Sequence, residues 1–175
     1  EGGDGDDIIT DEGGDETPDG EIGDLLVRGD STMAFYWNRH EATKRTLRGD
    51  WIATGDKFRR DADGYYWHAG RSDDMLKVGG IWVSPVEVES ALMAHASVLE
   101  CAVVGRQDAD GLVKPHAFVA ASPGAAADGL AETLQAFARE RLEPYKCPRW
   151  ITLVDELPKT ATGKIQRFPL RGLAR

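Results

Sequence analysis

The chain has 175 residues and a formal net charge of −9, with 29% charged and 41% hydrophobic residues. This length suits one ordinary domain or two small lobes. No apolar run approaches the ~20 residues of a membrane span, which argues against a membrane protein. No face gathers Lys and Arg with aromatic residues, which argues against a nucleic-acid partner.

The negative charge is concentrated at the start of the chain. Residues 1–24 contain eleven acids and neither Lys nor Arg. Because this stretch is rich in Gly and Asp and has few apolar residues before Ile8, we expect residues 1–19 to be mobile. A solvated surface segment is the interpretation that we favour, and an acidic interaction tail is the alternative.

The cysteines and histidines form no pattern of metal ligands. Cys101 and Cys147 match no metal spacing, and the four histidines include no HxxH or HExxH pair. We therefore predict no metal site in this chain. Two isolated cysteines favour reduced, structural thiols and a cytoplasmic location.

The first predicted elements form a small β-rich unit. Residues 20–29 alternate and then run apolar between glycines, which is typical of a strand. Residues 38–48 have the composition of a short surface helix. Residues 51–69 complete a compact β unit that is closed by a hairpin at Asp63 and Gly64.

Residues 70–89, GRSDDMLKVGGIWVSPVEVE, separate this unit from the rest of the chain. They combine a polar pair at 73–74, a flexible glycine pair at 79–80 and a firm helix start. Residues 84–87 supply an N-cap serine, a proline for the first helical position and a capping-box glutamate. The segment predicts a boundary between two bodies that move, and the alternative is an ordinary interdomain linker followed by a helix.

The remaining elements predict an α+β lobe in residues 73–175. About a hundred residues in this order are just enough to bury a core. The predicted fold class is therefore α+β, with a small β-rich segment in residues 1–72 followed by this lobe. Its predicted elements are helices at 85–94, 130–142 and 169–174 and strands at 98–105, 114–121 and 149–154.

Two stretches resemble the adenylate-forming enzymes, the superfamily of acyl- and aryl-CoA ligases, luciferases and peptide-synthetase adenylation domains. Residues 70–89 are similar to the hinge segment of this family, and residues 158–167, PKTATGKIQR, are similar to its C-terminal signature. The second stretch does not fit a Walker phosphate loop, because Ile165 follows the lysine and position 158 is proline. The resemblance covers residues 20–175 and is greatest to the benzoate–CoA ligase group.

The resemblance implies two nucleotide-binding residues. Asp56, which ends the TGD sequence of residues 54–56, would bind the ribose of ATP, since one carboxylate can accept both hydroxyl protons of a cis-diol. Arg71 matches an arginine of the family that also reaches the nucleotide. The alternatives are an ordinary turn at residues 54–56 and a structural role for Arg71 as the partner of Asp73 or Asp74.

The resemblance also implies a catalytic lysine, a hinge and a CoA loop. Lys164 would stabilise the negative charge that develops as a carboxylate attacks the α-phosphate of ATP, and Asp73 would be the hinge. Lys77, Gly79 and Gly80 match the loop that lines the pantetheine tunnel, where glycines let the backbone approach the thiol arm closely. The alternatives are an exposed lysine in a turn and a glycine-rich hairpin; related enzymes often have Ser or Lys where this chain has Gly79.

The implied function is that of an ATP-dependent carboxylic acid–CoA ligase acting on benzoate or a related aryl acid through an acyl-adenylate. ATP/AMP, CoA and Mg²⁺ would be the cofactors, and the metal would be bound mainly by a large N-terminal domain whose signatures this chain lacks. Residues 1–72 would be the tail of that domain and residues 73–175 the mobile C-terminal lobe. We therefore expect the chain alone to be inactive.

Other functions remain open at this point. A fatty acyl-CoA ligase and a carrier-loading adenylation domain are the alternatives within the enzyme class. A noncatalytic lobe that binds a nucleotide or a partner protein is the alternative outside it. The acyl pocket that selects the acid lies outside this sequence, and the oligomeric state is equally open.

Overall fold

The computed structural model describes residues 6–174, which fold as two compact units. One unit ends at Asp73 and the other begins at Asp74, one residue after the boundary predicted from the sequence. The predicted mixed α+β class is confirmed. Within the described residues, no helix is long and apolar enough to cross a membrane.

The first unit is a five-stranded antiparallel sheet built around one long strand. Its strands are β1 (Asp6–Thr10), β2 (Ile22–Arg28), β3 (Leu47–Arg48), β4 (Trp51–Arg60) and β5 (Tyr66–Arg71), and its helix is α1 (His40–Thr46). β4 pairs with β2 along one edge, while β3 and β5 share the other edge. The predicted hairpin at Asp63 and Gly64 joins β4 to β5.

The acidic start of the chain contributes a strand to this sheet. β1 pairs with β2 over its whole length, and Ile9 is buried. Arg60 binds the carboxylates of Glu16 and Asp19 at 3.1 and 2.7 Å. Within residues 6–19, a short apolar stretch completes the sheet and an arginine offsets part of the acidic charge, and the expectation of a mobile segment stays a prediction. Residues 1–5, which the same expectation includes, lie outside the described residues.

The second unit is a three-stranded sheet with three helices and a separate hairpin. Its elements are β6 (Leu76–Val78), β7 (Ile81–Val83), α2 (Pro85–Met93), β8 (Val98–Gln107), β9 (Val113–Ala121), α3 (Leu130–Arg139), β10 (Trp150–Val154) and α4 (Arg167–Leu173). β9 lies in the centre of the sheet, antiparallel to β8 and parallel to β10. β6 and β7 pair with each other and form a separate two-stranded sheet.

This sheet is covered on both faces. Residues 101–104 of β8 alternate between two buried clusters, as the two-residue period of a strand requires. One cluster contains Leu92 of α2 and Leu134 of α3, and the other contains Leu170 of α4. α4, which follows the predicted C-terminal signature, is thus anchored on the opposite face from α2 and α3.

The helix ends follow local chemistry. The Ser84 hydroxyl accepts a hydrogen bond from the Glu87 amide at 3.2 Å, so the predicted N-cap of α2 is present. α4 begins at Arg167, two residues before the predicted start at Pro169. A proline in the first turn of a helix removes no intrahelical hydrogen bond, so it does not mark the first helical residue.

Candidate functional site

Asp56 and Arg71 face each other on neighbouring strands of the first unit. They are register partners in β4 and β5, and the Arg71 Nη1 donates to Asp56 Oδ1 at 3.2 Å. Their side chains are 29% and 57% exposed, respectively. A carboxylate and a guanidinium of this accessibility provide an acceptor and several donors for a polar ligand.

The irregular stretch of β4 just before Asp56 favours this pairing. The Thr54 hydroxyl accepts from the Asp56 amide at 3.2 Å and donates to the Leu25 carbonyl at 3.1 Å. Gly55 has a φ of +78°, and a Cβ there would lie 3.1 Å from Arg71 Nη2. The glycine therefore allows both the left-handed backbone and the close approach of the guanidinium.

Arg71 also lies near the predicted hinge residue. Its Nε is 3.7 Å from Asp73 Oδ1, and the Asp73 side chain is largely exposed. Asp74, the other partner considered for Arg71, is bound instead by Arg167 and Arg171 within the second unit. The structure thus groups Asp56, Arg71 and Asp73 at the end of the first unit.

Lys77, Gly79 and Gly80 belong to one hairpin of the second unit. Gly79 and Gly80 form the two-residue turn between β6 and β7, with φ values of +58° and +89°. Positive φ at both positions is typical of a type I′ turn. A Cβ on either glycine would meet no atom within 4 Å, so the space beside the turn is open in this unit. The Lys77 ammonium lies 4.9 Å from the ring centroid of its cross-strand partner Trp82.

The segment with Lys164 is a tightly hydrogen-bonded loop. Lys159 and Ile165 form an antiparallel bridge at its base. The Thr160 amide donates to the Lys164 carbonyl at 2.8 Å, and the Lys164 amide donates to the Thr160 hydroxyl at 3.1 Å. Gly163 takes a φ of +82° at the tip. The backbone of Lys164 is therefore held in place although the loop is exposed.

The Lys164 side chain itself is exposed. Its ammonium forms no ion pair or hydrogen bond with residues 6–174. In the same loop, the Lys159 ammonium binds the Glu100 carboxylate at 2.6 Å. The loop therefore contains one lysine that secures it to β8 and a second that is available to a ligand.

A cation-lined pocket is present in the second unit, and sequence reasoning missed it. It has a volume of about 440 Å³, and its lining includes three basic side chains, one tyrosine and no acid. The residues of this pocket come from separate parts of the chain, and the expectation that the protein has no nucleic-acid partner stays a prediction. The closeness of Tyr145 and Arg149 along the sequence was a local pattern that could have indicated this pocket. The lining residues are Lys114, Gln135, Arg139, Pro144, Tyr145, Cys147, Pro148 and Arg149.

The remaining candidates for metal or thiol chemistry are structural in character. In residues 6–174, no three His, Cys, Asp or Glu lie close enough together to hold a metal ion. Cys101 and Cys147 are free thiols, and burial raises the pKa of both. A thiol with a raised pKa is mostly protonated at neutral pH and is a weak nucleophile.

Comparison with known proteins identifies the class to which this geometry belongs. Residues 87–164 match the AMP-binding enzyme C-terminal domain. Over these residues the chain is therefore similar to the C-terminal domain of the AMP-binding enzymes. The resemblance predicted from the hinge and signature segments is confirmed.

Several of the individual relatives are aryl-CoA ligases, and others are acyl-CoA synthetases or long-chain-fatty-acid–CoA ligases. The chain is 54% identical over 165 residues to the benzoate–CoA ligase of Thauera aromatica, covering 94% of this chain and 31% of the relative. It is 50% identical over 164 residues to the 4-hydroxybenzoate–CoA/benzoate–CoA ligase of Rhodopseudomonas palustris, covering 90% of this chain and 30% of the relative. The crystal structure of the anthranilate–CoA ligase AuaEII in complex with anthranoyl-AMP matches 98% of this chain and 33% of its own, with a TM-score of 0.89 and 52% identity. The chain thus spans about a third of the length of these relatives.

Proposed function

We propose that this chain is the C-terminal part of an ATP-dependent aryl-CoA ligase. The reaction would convert an aryl carboxylate, ATP and CoA into an aryl-CoA, AMP and pyrophosphate through an acyl-adenylate. The observation that carries the proposal is the exposed Lys164 on a rigid loop, in a chain similar over 94% of its length to a benzoate–CoA ligase. Benzoate or a close relative is the proposed acid.

The first half-reaction would use Lys164, Asp56 and Arg71. The Lys164 ammonium would stabilise the negative charge that develops as the carboxylate attacks the α-phosphate. Asp56 would accept hydrogen bonds from the two ribose hydroxyls, and Arg71, already beside Asp56, would donate to ribose or phosphate oxygens. Mg²⁺ would offset further phosphate charge and would be held mainly by residues outside this chain.

The second half-reaction would use other groups of the same lobe. Rotation about Asp73 would withdraw Lys164 and present Lys77, Gly79 and Gly80, a hinge-type rearrangement. The open space beside the glycine turn leaves room for the thiol arm of CoA. The cation-lined pocket offers charges of the right sign for the phosphates of CoA.

Neither half-reaction should proceed on this chain alone. It spans about a third of its relatives, so residues that bind the acid and most of the nucleotide lie outside it. We expect no benzoyl-CoA synthesis by the purified 175-residue chain. Its detection above a no-enzyme control would contradict this part of the proposal.

The full proposal is tested in a ligase chimera, in which this chain replaces the matching third of the Thauera aromatica benzoate–CoA ligase. The wild-type chimera should convert benzoate into benzoyl-AMP and then into benzoyl-CoA. Lys164→Ala should slow adenylate formation about 10²–10³-fold, as expected for the loss of one preorganised donor, while supplied benzoyl-AMP and CoA still react. Lys44→Ala, at an exposed lysine of α1, is the matched control and should change neither half.

The outcome separates the candidate functions. Equal loss of both half-reactions in Lys164→Ala would show that Lys164 is structural or that the lobe does not alternate. A chimera that binds ATP without forming any adenylate would favour a noncatalytic binding lobe. A chimera active only with fatty acids, or only in loading a carrier protein, would support the adenylate-forming class but refute an aryl acid as the substrate.

A further inference from the structure

A cluster of four charged side chains lies behind the Lys164 loop in the second unit. Arg167 Nη2 donates to both Glu89 carboxylate oxygens, at 2.9 and 2.8 Å, and Arg167 Nη1 donates to Asp74 Oδ2 at 3.2 Å. Arg171 Nη2 donates to the other oxygen of Asp74 at 2.6 Å. Among these residues the sequence suggested a role only for Asp74, as a possible partner of Arg71.

The cluster joins elements that are distant along the chain. Asp74 is the first residue of the second unit, and Glu89 lies in α2. Arg167 is the first residue of α4 and follows Lys164 by three positions. Glu89 also accepts a hydrogen bond from the Val103 amide of β8 at 2.8 Å, which anchors the cluster to the central sheet.

The cluster is largely shielded from solvent, so its ion pairs depend on the geometry of the side chains. The side chains of Glu89, Arg167 and Asp74 are only 13%, 21% and 21% exposed. Burial raises the pKa of Glu89 despite the opposing effect of Arg167, so removal of the guanidinium would leave a largely buried carboxylate without a counter-charge. Only the planar fork of an arginine can bind both carboxylates in this way.

We propose that Arg167 is a positioning residue that couples the Lys164 loop to Asp74, the point at which the chain enters the second unit. The loop and the entry segment then move as one body when the lobe rotates. Arg167 is well placed for this role, since its backbone continues from the loop while its side chain reaches Asp74. The catalytic consequence rests on the proposed function; the mechanical coupling does not.

The coupling matters because electrostatic catalysis depends on position. An ammonium stabilises a developing charge only where that charge appears, and a displacement of about 1 Å can cost about 10²-fold in rate. The hydrogen bonds within the loop fix Lys164 relative to Thr160, but they do not fix the loop relative to the entry segment. Arg167 makes that second connection.

Hydrogen exchange in the purified 175-residue chain tests the coupling without any substrate. Arg167→Lys keeps the charge but lacks the fork. We expect amide exchange in residues 159–166 and 75–78 to accelerate together, about ten-fold, while β8 and β9 remain protected. Arg141→Lys is the matched control, because within residues 6–174 the Arg141 side chain binds Phe137 and Glu140, which lie nearby in the chain. Unchanged exchange in both segments, or an equal loss of protection in β8 and β9, would overturn the proposal.

Asp74→Asn gives a second, milder test that retains the Glu89–Arg167 pair. The nearly isosteric change weakens only the link to the entry segment. Exchange should rise in residues 75–78 and, to a smaller extent, in residues 159–166. A rise confined to residues 75–78 would show that Arg167 does not transmit the change and would reject the coupling.

Half-reaction kinetics in the ligase chimera then test the catalytic consequence. Arg167→Lys should lower kcat for adenylate formation about ten-fold or more, with the KM values for benzoate and ATP and the thioester step unchanged. A general folding defect would lower both halves through a smaller active fraction. Altered exchange combined with unchanged kinetics would overturn the positioning role. An inactive wild-type chimera would count against the proposed function alone, since the exchange results would still decide the coupling.

Discussion

Thr160 holds Lys164 from two sides of the backbone. The Thr160 hydroxyl accepts from the Lys164 amide at 3.1 Å, and the Thr160 amide donates to the Lys164 carbonyl at 2.8 Å. The side-chain hydroxyl also pairs with that of Thr162 at 2.9 Å. One threonine therefore determines much of the conformation from which the catalytic candidate projects.

Thr160→Val should weaken this support while preserving the branched shape of the side chain. The loss of a hydrogen bond worth about 1 kcal/mol should slow adenylate formation in the ligase chimera about five-fold and leave the thioester step unchanged. Stopped assays of each half-reaction measure the effect. Thr133→Val, which removes a surface hydroxyl from α3, is the control; equal effects of the two variants would contradict a specific role for Thr160.

Asp56→Asn should weaken nucleotide binding. The amide has one acceptor oxygen and no charge, so it cannot accept from both ribose hydroxyls as a carboxylate does. The loss of a charged hydrogen bond, about 1.5–3 kcal/mol, should raise the KM for ATP in the chimera about ten- to a hundred-fold, with little effect on the KM for benzoate. Asp63→Asn at the exposed β4–β5 hairpin is the control, and an unchanged KM for ATP would refute the assignment.

Gly80→Ala should slow the second half-reaction and spare the first, which is the reverse of the effect expected for Lys164→Ala. A Cβ at this position meets no atom within 4 Å, but the φ of +89° makes an L-residue strained, at a cost of about 1–2 kcal/mol in stability. Thioester formation from supplied benzoyl-AMP should slow, whereas adenylate formation should not. Gly64→Ala is a matched control, with a φ of +85° and equally open surroundings. Unchanged thioester formation in Gly80→Ala would favour a plain hairpin turn.

The cation-lined pocket predicts a site for CoA phosphates. Arg139→Gln combined with Arg149→Gln removes two of its three charges. The KM for CoA should rise about ten-fold, the order expected for the loss of charged hydrogen bonds, and the KM values for ATP and benzoate should stay the same. Arg141→Gln, which removes a positive charge outside the pocket, is the control. A KM for CoA that is insensitive to the double change would remove this pocket from the reaction.

His116 should make the second unit sensitive to acid. It is 2% exposed, its Nε2 is paired with the Thr152 hydroxyl, and its Nδ1 has no hydrogen-bond partner within residues 6–174. Burial and the charge of Arg106 lower the pKa of His116 from 6.5 to about 4. The unfolded chain binds a proton at this histidine more readily than the folded chain does. The stability that neutral His116 contributes is therefore fully present above pH 6.5 and is lost as the pH falls towards 4.

This loss should reach about 3 kcal/mol between pH 7 and pH 4. Denaturant unfolding of the purified chain at several pH values measures it. His116→Gln lacks the titrating group, so the difference between variant and wild type removes the contribution of the carboxylates. A wild-type pH dependence that matches that of His116→Gln would contradict the prediction.

Most of the helices and strands, and the main candidate residues, were predictable from the sequence. The helix start at Ser84 and the strands of the second unit follow from capping chemistry and from apolar periodicity, which act between near neighbours. Asp56, Arg71 and Lys164 were identified from short motifs that resemble a known family. β1 escaped prediction because its five residues are stabilised by pairing with β2 rather than by their own composition.

Which of these residues are in contact depends on the tertiary fold. Arg71 lies beside Asp56 because β4 and β5 pair in that register, and a shift of one residue would place the two side chains on opposite faces. The Arg167 cluster and the cation-lined pocket combine side chains from distant parts of the chain. Local patterns contain no information about such distances, which arise only when the sheet and helices bury their apolar faces together and bring remote charges within reach.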